Sequence, residues 1–174
     1  MAIAALSVSG DSKLRLFLQD GTSGAAISRT FGRDLLPELE IDLDFGTLSG
    51  QVDKLYIGKR TLAATTFDNI DLAGSLVDGL GNTLAFTNLK LALAAIVTPD
   101  GTKAIRVGPQ GQANAFQGPW GGVGADVYRS FKHWDLAVYE PVTGFPVTAG
   151  TGDIFSFYNP GATSVDVWLL LAGT

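Results

Sequence analysis

The sequence predicts an all-β protein, an antiparallel β-sandwich of jelly-roll-like type with short loops and little helix, and three observations carry that prediction. Period-two alternation of apolar and polar residues recurs in short runs. The 22 glycines and 7 prolines are spread along 174 residues and cut the chain into segments too short for a helical bundle. From Gly152 to Leu171, two runs rich in aromatic and β-branched residues flank Asn159-Pro160-Gly161, where proline pre-sets a turn and glycine admits positive φ. This stretch is predicted to be a β-hairpin. On its second arm Val165, Val167, Leu169 and Leu171 face a core, while Asp166, Trp168 and Leu170 face the other way, polar at the turn and apolar toward the terminus.

An isolated hairpin is marginal in water, so the arm requires neighbouring strands and a second layer. The chain is long enough to supply them in one domain, read as residues 13–174 behind an N-terminal arm over 1–12. In order, Lys13 to Gln19 alternates and is a half-buried strand closed by Asp20-Gly21. Thr22 to Gly32 has no period and reads as a surface loop, and Arg33 to Leu36 as a single helical turn before Pro37. Leu39 to Phe45 alternates with Leu39, Ile41, Leu43 and Phe45 inward and three acids outward, an exposed strand face rather than a calcium loop. Asp53 to Arg60 and Thr65 to Leu72 are two further strands, and Asp78-Gly79 with Gly81-Asn82 marks a reversal.

Thr83 to Val97 combines good helix formers with period-two alternation. It is read as strand, because Thr98-Pro99-Asp100-Gly101 is a turn leading straight into a return arm over Lys103 to Val107. Gly108 to Gly124 is irregular and carries Phe116 and Trp120. These rings either plug one end of the sandwich or lie exposed to anchor a partner, and the plug is the expected arrangement. Val127 to Phe131 and Asp135 to Tyr139 complete the strands.

Composition narrows function. A formal charge of -5 and the lack of a Lys/Arg run interleaved with aromatics argue against nucleic acid as a partner. Cysteine is absent, which removes disulfides and thiolate metal sites together. Met1 to Gly10 has no basic n-region, and the longest apolar run, Leu91 to Val97, is far short of the roughly 20 residues of a membrane helix. A soluble protein outside the secretory route, not associated with membrane, is expected.

Catalytic residues, cofactors and metal ligands find no candidates. Ser130, His133 and Asp135 look like a compressed triad, yet on one strand Ser130 faces away from the other two, and triad members come from separate elements. His133 is expected at the surface. Asp68 and Asp71 have odd spacing and face opposite ways, and no phosphate loop or histidine cluster is present.

Arg60-Thr61-Leu62-Ala63-Ala64, then Asn69 to Leu76, then Gly81 to Thr87 resemble, in order and spacing, a family of small tailed-bacteriophage virion structural proteins. The likeness continues through Asn114-Ala115-Phe116, Trp120-Gly121, Thr143 to Asp153 and Asn159-Pro160-Gly161, covering about Leu55 to Thr174. The resemblance implies a non-enzymatic component of the virion. On the capsid surface a sandwich of this size would be a decoration or cement protein, made in the host cytoplasm, whose partner is the major capsid protein. By analogy with other cement proteins it would be a homo-oligomer, with a trimer favoured. A mean hydropathy of +0.24 and strands apolar on both faces agree with cover by another chain. The interface candidates are Trp120, Phe116, Trp168, Leu170 and Trp134. An alternative is a carbohydrate- or receptor-binding module of a phage appendage, with Trp120, Trp134 and Tyr139 stacking on sugar rings.

Overall fold

The computed structural model describes residues 5–8, 14–19, 26–31, 41–97 and 102–174. In chain order the strands are β1 (Ala5–Val8), β2 (Leu14–Gln19), β3 (Ala26–Phe31), β4 (Ile41–Phe45), β5 (Gln51–Val52), β6 (Lys54–Leu62), β7 (Phe67–Asp71) and β8 (Leu76–Val77). They continue with β9 (Thr83–Leu84), β10 (Asn88–Ile96), β11 (Ile105–Val107), β12 (Arg129–Phe131), β13 (Trp134–Tyr139), β14 (Phe145–Pro146), β15 (Ile154–Tyr158) and β16 (Val165–Gly173). One 3₁₀ turn, Gly118–Trp120, is the helical structure among the described residues.

Two sheets carry the fold. The first has the order β13-β10-β16-β6, with β14 added beside β10, and the second has the order β12-β11-β15-β7. Both are antiparallel throughout. Strands of equal rank in the two sheets are consecutive in the chain: β6 leads to β7, β10 to β11, β12 to β13 and β15 to β16. Each of these connections arches from one sheet to the other, which is the connectivity of a jelly roll. The all-β sandwich expected from alternation is therefore the observed fold.

The arches correct the predicted pairing. Gly152 to Leu171 is not a hairpin, because β15 pairs with β11 and β7 while β16 pairs with β10 and β6. Turn chemistry marks a reversal, but burial decides where the arms go. Phe155 and Phe157 on one arm and Val165, Val167, Leu169 and Leu171 on the other are all buried in the same core between the sheets. Asn159 holds the corner open. Its amide donates to the carbonyls of Leu62, Ala63 and Thr163 at 3.1, 3.1 and 2.8 Å, and its oxygen accepts from the Gly161 N–H at 2.9 Å. The return arm after Thr98-Pro99-Asp100-Gly101 likewise enters the opposite sheet, since β11 pairs with β12 and β15 rather than β10. The turn itself lies outside the described residues, as does the helical turn expected at Arg33 to Leu36.

The reversal at Asp78 is as expected. β8 pairs with β9, and Asp78 Oδ1 accepts from the Leu80 and Asn82 N–H groups at 2.8 Å each. Thr83 to Val97 is strand, split into β9 and β10. In β10 an irregularity between Leu89 and Leu91 shifts the register against β16. Leu89 therefore shares the core with Ala92, Ala94 and Ile96. Leu91, Leu93 and Ala95 are buried outside it, together with Leu43, Val52, Leu55 and Leu170.

A strand, β3, occupies the stretch expected to be loop and pairs along its length with β2. Its alternating set, Ile27, Arg29 and Phe31, is broken by a charge, so hydrophobic periodicity does not reveal it. Within the arm expected over 1–12, Ala5–Val8 pairs with β4. Phe45 at the end of β4 is partly exposed instead of inward, because the strand ends there and Gly46 turns the chain back to Val52. Strand β4 also pairs in parallel with β5.

Candidate functional site

The most exposed apolar surface of the described chain lies on two adjoining loops at one end of the sandwich. The loop after β4 carries Leu48, 70% exposed, and the loop after β13 carries Val142, 55% exposed, with Phe45 and Tyr139 at their roots. A hydrogen bond from the Gly50 N–H to the Pro141 carbonyl, 2.8 Å, joins the two loops.

Beneath them sits Lys90, a residue almost fully buried on β10. Its ammonium donates to the carbonyls of Leu48 and Gln51 at 2.7 and 2.8 Å, fixing the first loop from inside. Desolvation lowers the Lys90 pKa, against an opposing attraction to Glu140 and Asp53. Glu140 organises the second loop. Its Oε2 accepts from the N–H groups of Thr143 and Gly144 at 2.8 and 2.9 Å, and these bonds, the one from Gly144 first, hold its carboxyl below the usual range. Gly144 has φ of 73°, and a Cβ there would lie 2.8 Å from Lys90 Cγ, so glycine is required for the turn to close over the lysine stem. Two hydrogen-bonded loops thus present apolar side chains to solvent from charged, internally satisfied supports.

The residues singled out by type fall elsewhere. Phe116 is 1% exposed and Leu170 is 2% exposed, so their apolar surface is satisfied within this chain. Trp120 packs on the core edge-on to Phe116, with ring centroids 6.3 Å apart, and 5.8 Å from Phe155, which is the plug arrangement. Trp134 and Trp168 are half-buried on β13 and β16. The structure does not bring these five together on one surface. Leu48 and Val142 were not singled out from the sequence, because single apolar residues in loops carry no periodic signal.

His133 is exposed, and Asp135 accepts from Arg129 Nη1 at 3.1 Å, so Ser130, His133 and Asp135 are not organised as a relay. No group of three or more histidines or acids is placed to hold a metal ion among the described residues. A cleft of about 420 Å³ beside the 3₁₀ turn is lined by Gln117, Phe145, Thr148 and Thr151 among others, with no titratable side chain in its wall. Among the described residues no helix is long and apolar enough to cross a membrane. Comparison with protein-family models, with curated proteins and with solved structures gives no match.

Proposed function

We propose that this protein is a non-enzymatic virion component, a decoration or cement protein that seats on the outer capsid shell and bridges subunits of the major capsid protein as a homo-oligomer, a trimer being favoured. The observation that carries the reading is the end surface formed by Leu48, Val142, Phe45 and Tyr139. Large apolar side chains held out on braced loops are what a protein-protein contact requires and what a free surface disfavours. Support also comes from the fold, since jelly rolls recur among viral capsid domains, an analogy at the level of architecture.

The test is cosedimentation of the purified protein with capsids stripped of their decoration layer. The expected result is saturation at a fixed ratio to capsid subunits, lost in a Leu48→Asp/Val142→Asp double variant whose melting temperature is unchanged. A protein that stays in the supernatant overturns the reading. Light scattering on the same sample checks the trimer.

A further inference from the structure

The outer face of the second sheet carries a row of side chains in direct register across four strands. Phe67 on β7 stands opposite Tyr158 on β15, Tyr158 opposite Arg106 on β11, and Arg106 opposite Ser130 on β12. The Phe67 and Tyr158 rings lie 4.6 Å apart and tilted by 35°, and Phe67 is 41% exposed. The Arg106 guanidinium lies 4.5 Å from the Tyr128 ring centre and 5.7 Å from that of Tyr158. One alternation further along β7, Asn69 is exposed on the same face, its amide bonded to Gln112 at 2.9 Å.

The Arg106 side chain has no ion pair and no hydrogen bond to any described residue. This is unusual in a chain with 17 acids and 12 basic residues, where Arg60 and Arg129 are each paired with an aspartate. Packing against two tyrosines holds the guanidinium in place and leaves its N–H donors without a partner among the described residues. A planar cation with a preset fork suits a carboxylate, which it binds bidentately, and the exposed Phe67 ring with the half-buried Tyr158 ring beside it suits the apolar face of a pyranose. Ser130 and Asn69 add hydroxyl and amide groups for ring hydroxyls.

We infer that this face, centred on Arg106 with Phe67, Tyr128 and Tyr158, binds a carboxylate-bearing sugar such as a uronic or sialic acid unit. The net charge of -5 disfavours long polyanions, so short oligosaccharides are the expected ligands. The assignment is independent of the capsid reading, because it concerns a different face and is measured on the isolated protein.

Titration calorimetry with tri-galacturonate and sialyllactose, against galactotriose and lactose, is the test. The acidic sugars are expected to bind and their neutral counterparts to bind at least tenfold more weakly. Arg106→Gln should weaken the acidic sugars by roughly tenfold to a hundredfold, the range for a lost hydrogen-bonded charge, and Phe67→Ala should weaken them by several-fold. Thermal melts of both variants establish that they fold. Arg106→Lys keeps the charge without the fork and should recover only part of the affinity. Absence of binding by any sugar, equal binding of acidic and neutral sugars, or full binding by folded Arg106→Gln would each overturn the inference. Binding of acetate as tight as that of the sugars would overturn it too.

Discussion

Asn159 is wholly buried, and every hydrogen bond its side chain makes is to backbone that turns from one sheet to the other. Asn159→Ala leaves the carbonyls of Leu62, Ala63 and Thr163 without that donor, and the loss of stability should be about 2–4 kcal/mol in urea unfolding. Asn159→Asp sets a carboxylate against the same carbonyls and should cost more at neutral pH. The gap between the two variants should narrow as the pH is lowered and the introduced acid takes up a proton. Lys90 poses the opposite case, a charge held in a buried place by two carbonyls. Its folded pKa lies below the usual lysine value because burial disfavours the ammonium. Below the lowered value the amine is protonated in both states and contributes no pH slope. Between the lowered value and the usual one the unfolded chain holds more protons, so stability rises with pH across that window. Lys90→Met should lose about 1–2 kcal/mol at neutral pH, where the carbonyls of Leu48 and Gln51 lose the ammonium donor. It should also lack the alkaline rise seen in the parent protein, as unfolding free energies compared from pH 7 upward will show.

The elements next in scale are the edge strands, and the jelly roll has a charge pair at each open side. Arg60 on β6 and Asp68 on β7 join the two sheets at one edge, with Arg60 Nη2 to Asp68 Oδ1 at 2.7 Å, and Arg129 on β12 meets Asp135 on β13 at the other. The Arg60 pKa is raised, first through its bond to Asp68, against the desolvation of a partly covered site. The pairs should differ in worth. Arg60 and Asp68 are largely covered, so Arg60→Ala or Asp68→Ala should cost about 1–2 kcal/mol, whereas the more exposed Arg129 should cost less than about 0.5 kcal/mol. Chemical denaturation with a double-mutant cycle at 60 and 68 measures the first pair directly. At this scale the sequence was informative about strands and uninformative about their partners. Alternation located β2, β10 and β16, and the Asp78 turn was legible because its side chain closes it locally. Whether Asn159-Pro160-Gly161 joins a hairpin or an arch depends on strands β6 and β7, whose relation to it is set only in the folded chain.

For the whole molecule the same distinction governs the candidate sites. Searching by residue type found Phe116 and Trp120, which the fold uses as a plug, whereas the row from Phe67 through Tyr158 and Arg106 exists only through cross-strand register and could not be read along the chain. The jelly roll also ties its two sheets together at four arches, so neither sheet can open without the other and unfolding should be a single cooperative event. Acid gives the sharpest check. The Asp78 carboxyl lies below its usual value, burial alone pushing it up but hydrogen bonds from Asn82 and Leu80 outweighing that. Asp166 is lowered chiefly by its hydrogen bond with Lys59, which it also meets as an ion pair at 2.6 Å. For each, the unfolded chain takes up a proton before the folded one does, so their contribution is complete above the usual carboxylate range and lost as the pH falls through the lowered folded values. Stability should therefore decline on acidification, and the difference between the parent and Asp78→Asn should shrink along the same limb. Tryptophan fluorescence reports Trp120 beside the core together with Trp134 and Trp168 on the first sheet, and far-ultraviolet circular dichroism reports both sheets. Their transitions should coincide at every pH, and separate midpoints would show that the sheets unfold independently.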